Sequence, residues 1–149
     1  MTMSRRALLL LSVAVPLASL DLAHKLTVPT EDWAYHARGA AWIAMSGFVA
    51  LACLALTRVP SAAVAVMAGV LAAGAAGNGI AAISWERGIP NPLVVDLGAA
   101  AIAFNLADLF TLTGILLLML ALFSTTIQNR EHLLPPREFA RMLWERMRS

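Results

Sequence analysis

Asp21, Asp96 and Asp108 stand in or beside long apolar runs that have little reason to carry a charge. A carboxylate within a spanning helix costs about 2.5 to 3.5 kcal/mol on insertion scales, so each is a functional candidate until a partner accounts for it. Asp21 has such a partner, because Lys25 follows one helical turn later on the same face and the two charges can neutralise each other. Both also lie close enough to the end of their run to snorkel; positioning of a substrate or lipid headgroup is the other reading of the pair. Asp108 opens a later apolar run. Asn105 precedes it by three residues, on the same face of a helix start, where it either caps the helix or joins a site. Asp96 follows Pro90, Pro92 and Val94-Val95 in a stretch too short and too interrupted to span. Twelve residues lead from Asp96 to Asp108, enough for the chain to fold back, so the two carboxylates are expected to meet at one mouth of the molecule. Two facing carboxylates cannot both ionise at close range; one holds a proton while the other takes one from a shared water, which attacks a carbonyl. That is amide hydrolysis by an aspartic pair, and ordinary solvation of two boundary acids is its rival.

Competing chemistries lack residues. His24, His36 and His132 are scattered without metal-ligand spacing. The Gly74 to Gly79 segment, with Asn78 inside it, follows a helical run rather than a strand, which excludes a phosphate loop, and no Gly-x-Ser-x-Gly occurs. Cys53 is the single cysteine; it excludes an internal disulfide and reads as a small buried hydrophobe. The 11 basic residues are neither gathered into a stripe nor interleaved with aromatics, which excludes nucleic acid as a partner. No metal and no cofactor are expected.

The elements that must position these residues follow from composition. The chain has 149 residues, 60% hydrophobic and 13% charged, with a mean hydropathy of +0.75. A soluble domain is about half apolar and about a quarter charged, so an all-α membrane protein is expected. A bilayer core takes about 20 apolar helical residues to cross, and four stretches qualify: Ala7 to Leu26, Ala40 to Thr57, Ser61 to Ile83 and Phe104 to Thr126. Thr27 to Gly39, Arg58-Val59-Pro60 and Ser84 to Pro92 read as loops. A cleavable signal peptide is the alternative for the first stretch; no small-x-small site follows Pro16, and Asp21 and Lys25 fall inside it.

With a cytoplasmic N-terminus, eight basic residues (Arg5, Arg6, Arg58, Arg130, Arg137, Arg141, Arg146, Arg148) lie inside, against Lys25, Arg38 and Arg87 outside. This fits the positive-inside rule and puts both termini in the cytoplasm. Asp21, Glu31, Asp32, Glu86, Asp96 and Asp108 then fall in or near the outer half. Trp33, Tyr35, Trp42 and Trp85 cluster at the same boundary and read as an interfacial belt rather than a cofactor box. Ala65, Gly69, Ala73 and Gly77 recur every four residues, which lets neighbouring backbones approach and predicts a central third span. Residues 1–129 form the membrane domain and 130–149 a cytoplasmic tail. In the tail, Phe139, Met142, Leu143 and Met147 oppose Arg137, Arg141 and Arg148, as in an amphipathic helix at the membrane surface; a solvated helix is the alternative.

The order of the motifs carries a resemblance. Asp21-Leu-Ala-His-Lys25, Gly39-Ala-Ala-Trp42, Gly77-Asn78, Val94-Val-Asp96 and Phe104-Asn-Leu-Ala-Asp108, spread between about Arg6 and Leu122, resemble bacterial signal peptidase II, the lipoprotein signal peptidase. Its most specific piece is Phe-Asn-x-Ala-Asp preceded by Val-Val-Asp. The resemblance implies a four-span aspartic endopeptidase of the cytoplasmic (inner) membrane, acting as a monomer without cofactor at the outer surface. Asp96 and Asp108 match its catalytic pair. Asn105, Asp21, Lys25 and Asn78 match polar positions that support the site or the substrate, and Arg87 matches a displaced one. The implied substrate is a prolipoprotein carrying diacylglycerol on a cysteine, cut just before that cysteine.

The chain also departs from the pattern. Ala37 replaces an asparagine two residues before the Gly-Ala-Ala motif, and Ile80 to Trp85 intervene between Gly-Asn and Glu86-Arg87. The outer segment between the first two spans, a β-rich cradle in the family, is short, as is the loop between the aspartates. The tail beyond Arg130 has no family counterpart. A catalytically inactive relative that binds lipoprotein precursors or a membrane partner is therefore the second reading. A proton-coupled carrier is the third, since intramembrane acids also serve as relays.

Overall fold

In a computed structural model of the chain, residues 1–132, 138, 141 and 144–147 are described. Four helices dominate: α1 (Met3–Thr27), α2 (Ala40–Ala55), α3 (Ala62–Ser84) and α4 (Leu106–Gln128). All four are long and apolar enough to cross a membrane when α2 is taken on through the 3-10 turn Leu56–Arg58. Local chemistry sets three of the four starts. The side chains of Thr2, Ser61 and Asn105 accept from the backbone N–H three residues on, satisfying a donor that the first turn leaves open. The expected amphipathic tail falls largely on residues outside those described, including Phe139, Met142 and Leu143.

The third span packs centrally, as its small residues predict. Half of its apolar window is buried (50%), against 22%, 17% and 22% for the windows of α1, α2 and α4. Gly69 shows why: a Cβ there would lie 2.7 Å from the Leu10 carbonyl oxygen of α1. Leu10, Cys53, Val64, Ala68, Leu71 and Leu118 form the heart of the core. α1 faces α3 through one stripe of buried residues, Arg6, Leu10, Ala14, Ala18, Asp21 and Lys25, which recur at helical spacing. At one end of that stripe Arg6 Nε donates to the Thr57 carbonyl at 2.7 Å, and the guanidinium also reaches the Met1 carbonyl, so Arg6 latches α1 to the turn between α2 and α3. α2 packs principally against α3 and leaves a gap on each side.

At the Lys25 end, the expected loops contain strands. Asp32–Ala34 forms a 3-10 turn, and β1 (Tyr35–His36) pairs antiparallel with β2 (Ile89–Pro90), Tyr35 opposite Pro90 and His36 opposite Ile89. β3 (Leu93–Asp96) pairs antiparallel with β4 (Ala101–Phe104), Leu93 opposite Phe104 and Asp96 opposite Ala101. The helical architecture thus gains two small strand pairs. Phe104 ends β4, and the fourth helix starts at Leu106.

Candidate active site

A continuous polar path runs through the Lys25 end of the bundle. It begins on α1, where the side chains of Asp21 and Lys25 have no exposed surface (0% each) and Lys25 Nζ lies 2.6 Å from Asp21 Oδ2. Burying two charges costs several kcal/mol per ion unless each is paired and hydrogen-bonded, and here both are. Lys25 Nζ also donates to Asn78 Oδ1 at 2.8 Å, and Asn78 Nδ2 donates to Asp108 Oδ1 at 2.7 Å. A side-chain amide accepts from a cation on one side and donates to a carboxylate on the other, so Asn78 joins α1 to α4 across α3. Gly77 makes room: a Cβ there would lie 2.6 Å from Asp21 Oδ2 and 3.2 Å from the Ala107 Cβ.

The α4 N-terminus is built into the same path. Asn105 Oδ1 accepts from the Asp108 N–H at 3.0 Å, and Asp108 Oδ2 accepts from the Asn105 N–H at 3.1 Å, a reciprocal capping box. The neighbouring Ala107 N–H donates to Asp21 Oδ1 at 2.8 Å, so a carboxylate from α1 satisfies a second open donor of α4. A helix N-terminus favours anionic side chains, and this one gathers two. Asn105 then reaches outward: its Nδ2 donates to Asn91 Oδ1 at 2.6 Å and to the Pro90 carbonyl at 3.3 Å. Asn91 Nδ2 donates in turn to the Ala34 carbonyl at 3.1 Å and meets His36 Nδ1 at 2.9 Å. An amide NH2 only donates, so His36 Nδ1 is the acceptor in that contact.

Of this path, Asp108 and Asn78 open onto a cleft. The cleft, of about 290 Å³, lies between α2 and α4 over α3; Asn78, Asp108 and Thr111 face Arg38, Trp42 and Ser46 across it. The Arg38 guanidinium lies over the Trp42 ring, 5.4 Å from its centroid. Thr111 Oγ1 donates to the Ala107 carbonyl at 2.8 Å and Ser46 Oγ to the Trp42 carbonyl at 3.2 Å, so both hydroxyls spend their protons on the backbone. Asp108 has one oxygen held by Asn78 and the other by its own cap. Each keeps a lone pair for a water in the cleft.

The expected meeting of Asp96 with Asp108 does not occur in this structure. The segment between them pairs with itself instead of folding back. Three strand steps of about 3.3 Å carry Asp96 about 10 Å along the hairpin from the Leu93–Phe104 pair at its base. There Asp96 is exposed, and its Oδ1 accepts from the Gly98 N–H at 2.8 Å within its own turn. Gly98 sits at φ +81°, a left-handed conformation that glycine adopts without steric cost.

Arg87 also stands outside the path. It pairs with Asp32 at 2.7 Å and lies over the Tyr35 ring, 4.4 Å from its centroid. The hydrogen bond to the Asp32 carboxylate pushes the Arg87 guanidinium further toward its charged form. The structure thus brings together Asp21, Lys25, Asn78, Asn105 and Asp108 and leaves Asp96 and Arg87 apart. Sequence reasoning missed Asn91, which Pro90 and Pro92 disguised as loop, and Arg38, counted only as an outer basic residue. Trp42 was assigned to the belt and is a wall of the cleft. Among the described residues, no group of three or more His, Cys, Asp or Glu side chains is placed to hold a metal ion. No family model, curated protein or solved structure matches the chain.

Proposed function

We propose that the protein is a membrane aspartic endopeptidase of the signal peptidase II kind, which removes signal peptides from diacylglyceryl-modified prolipoproteins. The observation that carries this reading is Asp108, held in a cleft by a path of side chains that includes four other residues singled out by the resemblance. In this reading the protein is a monomer in the bacterial inner membrane, with cytoplasmic termini and its cleft at the outer surface. Lipid and the lipid-modified precursor are its partners.

Asp96 completes the pair by movement. The β3–β4 hairpin is exposed along most of its length and joins α4 directly at Asn105, so bending at its base carries Asp96 toward Asp108 when substrate fills the cleft. One carboxylate then takes a proton from water as the water oxygen bonds to the scissile carbonyl carbon. The other, protonated, gives its proton to the carbonyl oxygen. The tetrahedral intermediate collapses, the C–N bond breaks, and the nitrogen leaves with a proton; amide and water become acid and amine.

The test is cleavage of a diacylglyceryl-modified precursor by the full chain in liposomes. Asp108→Asn and Asp96→Asn, each folded and inserted, are expected to lower turnover by at least about 10³-fold, the scale lost on removing an essential acid or base. Undiminished cleavage by either variant sinks the proposal.

The placement of Asp96, exposed and bonded to its own turn, favours a second reading, a relative that binds such precursors without cutting them. Retention of a lipopeptide that an authentic peptidase cleaves under the same conditions, with no product from this chain, would establish it.

A further inference from the structure

Arg38 is the residue in the cleft whose placement the fold does not explain. It stands just before Gly39, the N-cap of α2, where the positive end of a helix disfavours a cation. The first turn of α2 carries no acidic residue to offset it. Among the described residues Arg38 forms no ion pair; its guanidinium rests on the face of Trp42. A guanidinium resting on an aromatic face is oriented but keeps its in-plane N–H donors free. Across the cleft lies the Asp108 carboxylate, and between them the floor is α3, with Gly74 and Ala75 beside Asn78. The cleft therefore has a donor wall on α2, an acceptor wall on α4, and a largely apolar floor.

From this polarity we infer that Arg38 donates to the carbonyl oxygen of the substrate's scissile peptide bond. That group presents an acceptor and a donor in one plane, C=O toward Arg38 and N–H toward Asp108. As water adds, electron density builds on the carbonyl oxygen before the protonated carboxyl group delivers its proton, and a donor already aimed there stabilises that transition state more than the ground state. Arg38 changes no bond itself. The inference rests on the peptidase reading for its substrate, but its recognition step stands without turnover.

The test uses the full chain in vesicles of a neutral phospholipid and two probes: a diacylglyceryl-cysteine decapeptide and its analogue with an E-alkene in place of the scissile amide. The wild type is expected to bind the amide at least about tenfold tighter than the alkene, the discrimination expected of a hydrogen bond to a charged donor. Arg38→Gln should lower that preference about tenfold, to the share that the N–H on Asp108 retains, and Arg38→Lys should recover part of the loss. In cleavage of the amide, Arg38→Gln should raise KM about tenfold, matching the lost ground-state hydrogen bond, and lower kcat/KM by at least about 10²-fold, because an oxyanion donor strengthens in the transition state. Full amide preference in Arg38→Gln overturns the inference whether or not the protein cleaves. An effect confined to vesicles with anionic phospholipid also overturns it, because Arg38 then reads a headgroup phosphate. A lowered amide preference in Arg38→Gln, with cleavage unimpaired in Asp108→Asn, keeps the recognition role and removes the aspartic-pair mechanism.

Discussion

Asp108 and Asp96 lie twelve residues apart and stand in opposite surroundings. Asp108 is fixed by two hydrogen bonds to a path whose members Asp21, Lys25, Asn78 and Asn105 are buried. Asp96 sits on a hairpin whose apolar residues Val94, Val95, Leu97 and Ile102 are themselves exposed, with its own turn as its hydrogen-bond partner. The contrast separates a carboxylate built into the packed bundle from one carried on an exposed ribbon; in the proposed peptidase each supplies half of the catalytic pair. A carboxylate bonded to a second helix and to the cap of its own cannot move without breaking both contacts. One attached through a two-stranded ribbon can, since such a ribbon has little stability of its own.

Substitutions in the two regions should therefore differ most in stability. Lys25→Met leaves Asp21 buried without its cation and should cost about 3–5 kcal/mol. Asp96→Asn should stay within about 0.5 kcal/mol, as exposed substitutions do. Thermal unfolding in detergent compares them, and equal losses would erase the distinction between the regions. Asn105→Ala removes the cap of α4 and leaves the buried Asn91 Oδ1 without its donor, for about 1–3 kcal/mol. Gly77→Ala forces a methyl group against Asp21 and Ala107, and overpacking of this kind costs about 1–3 kcal/mol; its signature is loss of stability without any change to a polar residue. Arg87→Ala is expected to do least, because its pair with Asp32 is exposed on both sides. The pair raises the Arg87 pKa, so its contribution is present below arginine's ordinary titration and fades only above it. Melting curves of Arg87→Ala and the wild type should stay parallel between about pH 6 and 9.

Much of the rigid half was legible in the sequence. Asp21 and Lys25 declare themselves by helical spacing, and Asn105 with Asp108 by the spacing of a cap and its third residue. The small residues of α3 announced a helix that others approach closely. The role of Asn78 was legible only through the order of motifs, because an amide that bridges a cation and an anion on two other helices leaves no local periodicity. Asn91 was missed for a similar reason: two flanking prolines signal a break in regular structure and say nothing of where the side chain between them points. The hairpin had a signal that was passed over. Val94-Val95 followed by Asp96-Leu97-Gly98 combines β-branched residues with a turn that closes on an Asp side chain and a glycine at positive φ. Counting residues between the aspartates gave the reach of the chain, but strand pairing decided its direction.

The proposed aspartic pair requires the hairpin to bring Asp96 to Asp108 when substrate is present. A pair of spin labels reports this most directly, one at Leu97 in the hairpin turn and one at Phe48 on the exposed face of α2, with Cys53→Ser as background. Distances are taken in liposomes with and without the E-alkene lipopeptide. The account predicts a single longer distance in the empty protein and a population shorter by several ångströms with the lipopeptide bound. An unchanged distribution at saturating lipopeptide would contradict it and leave Asp96 outside the site.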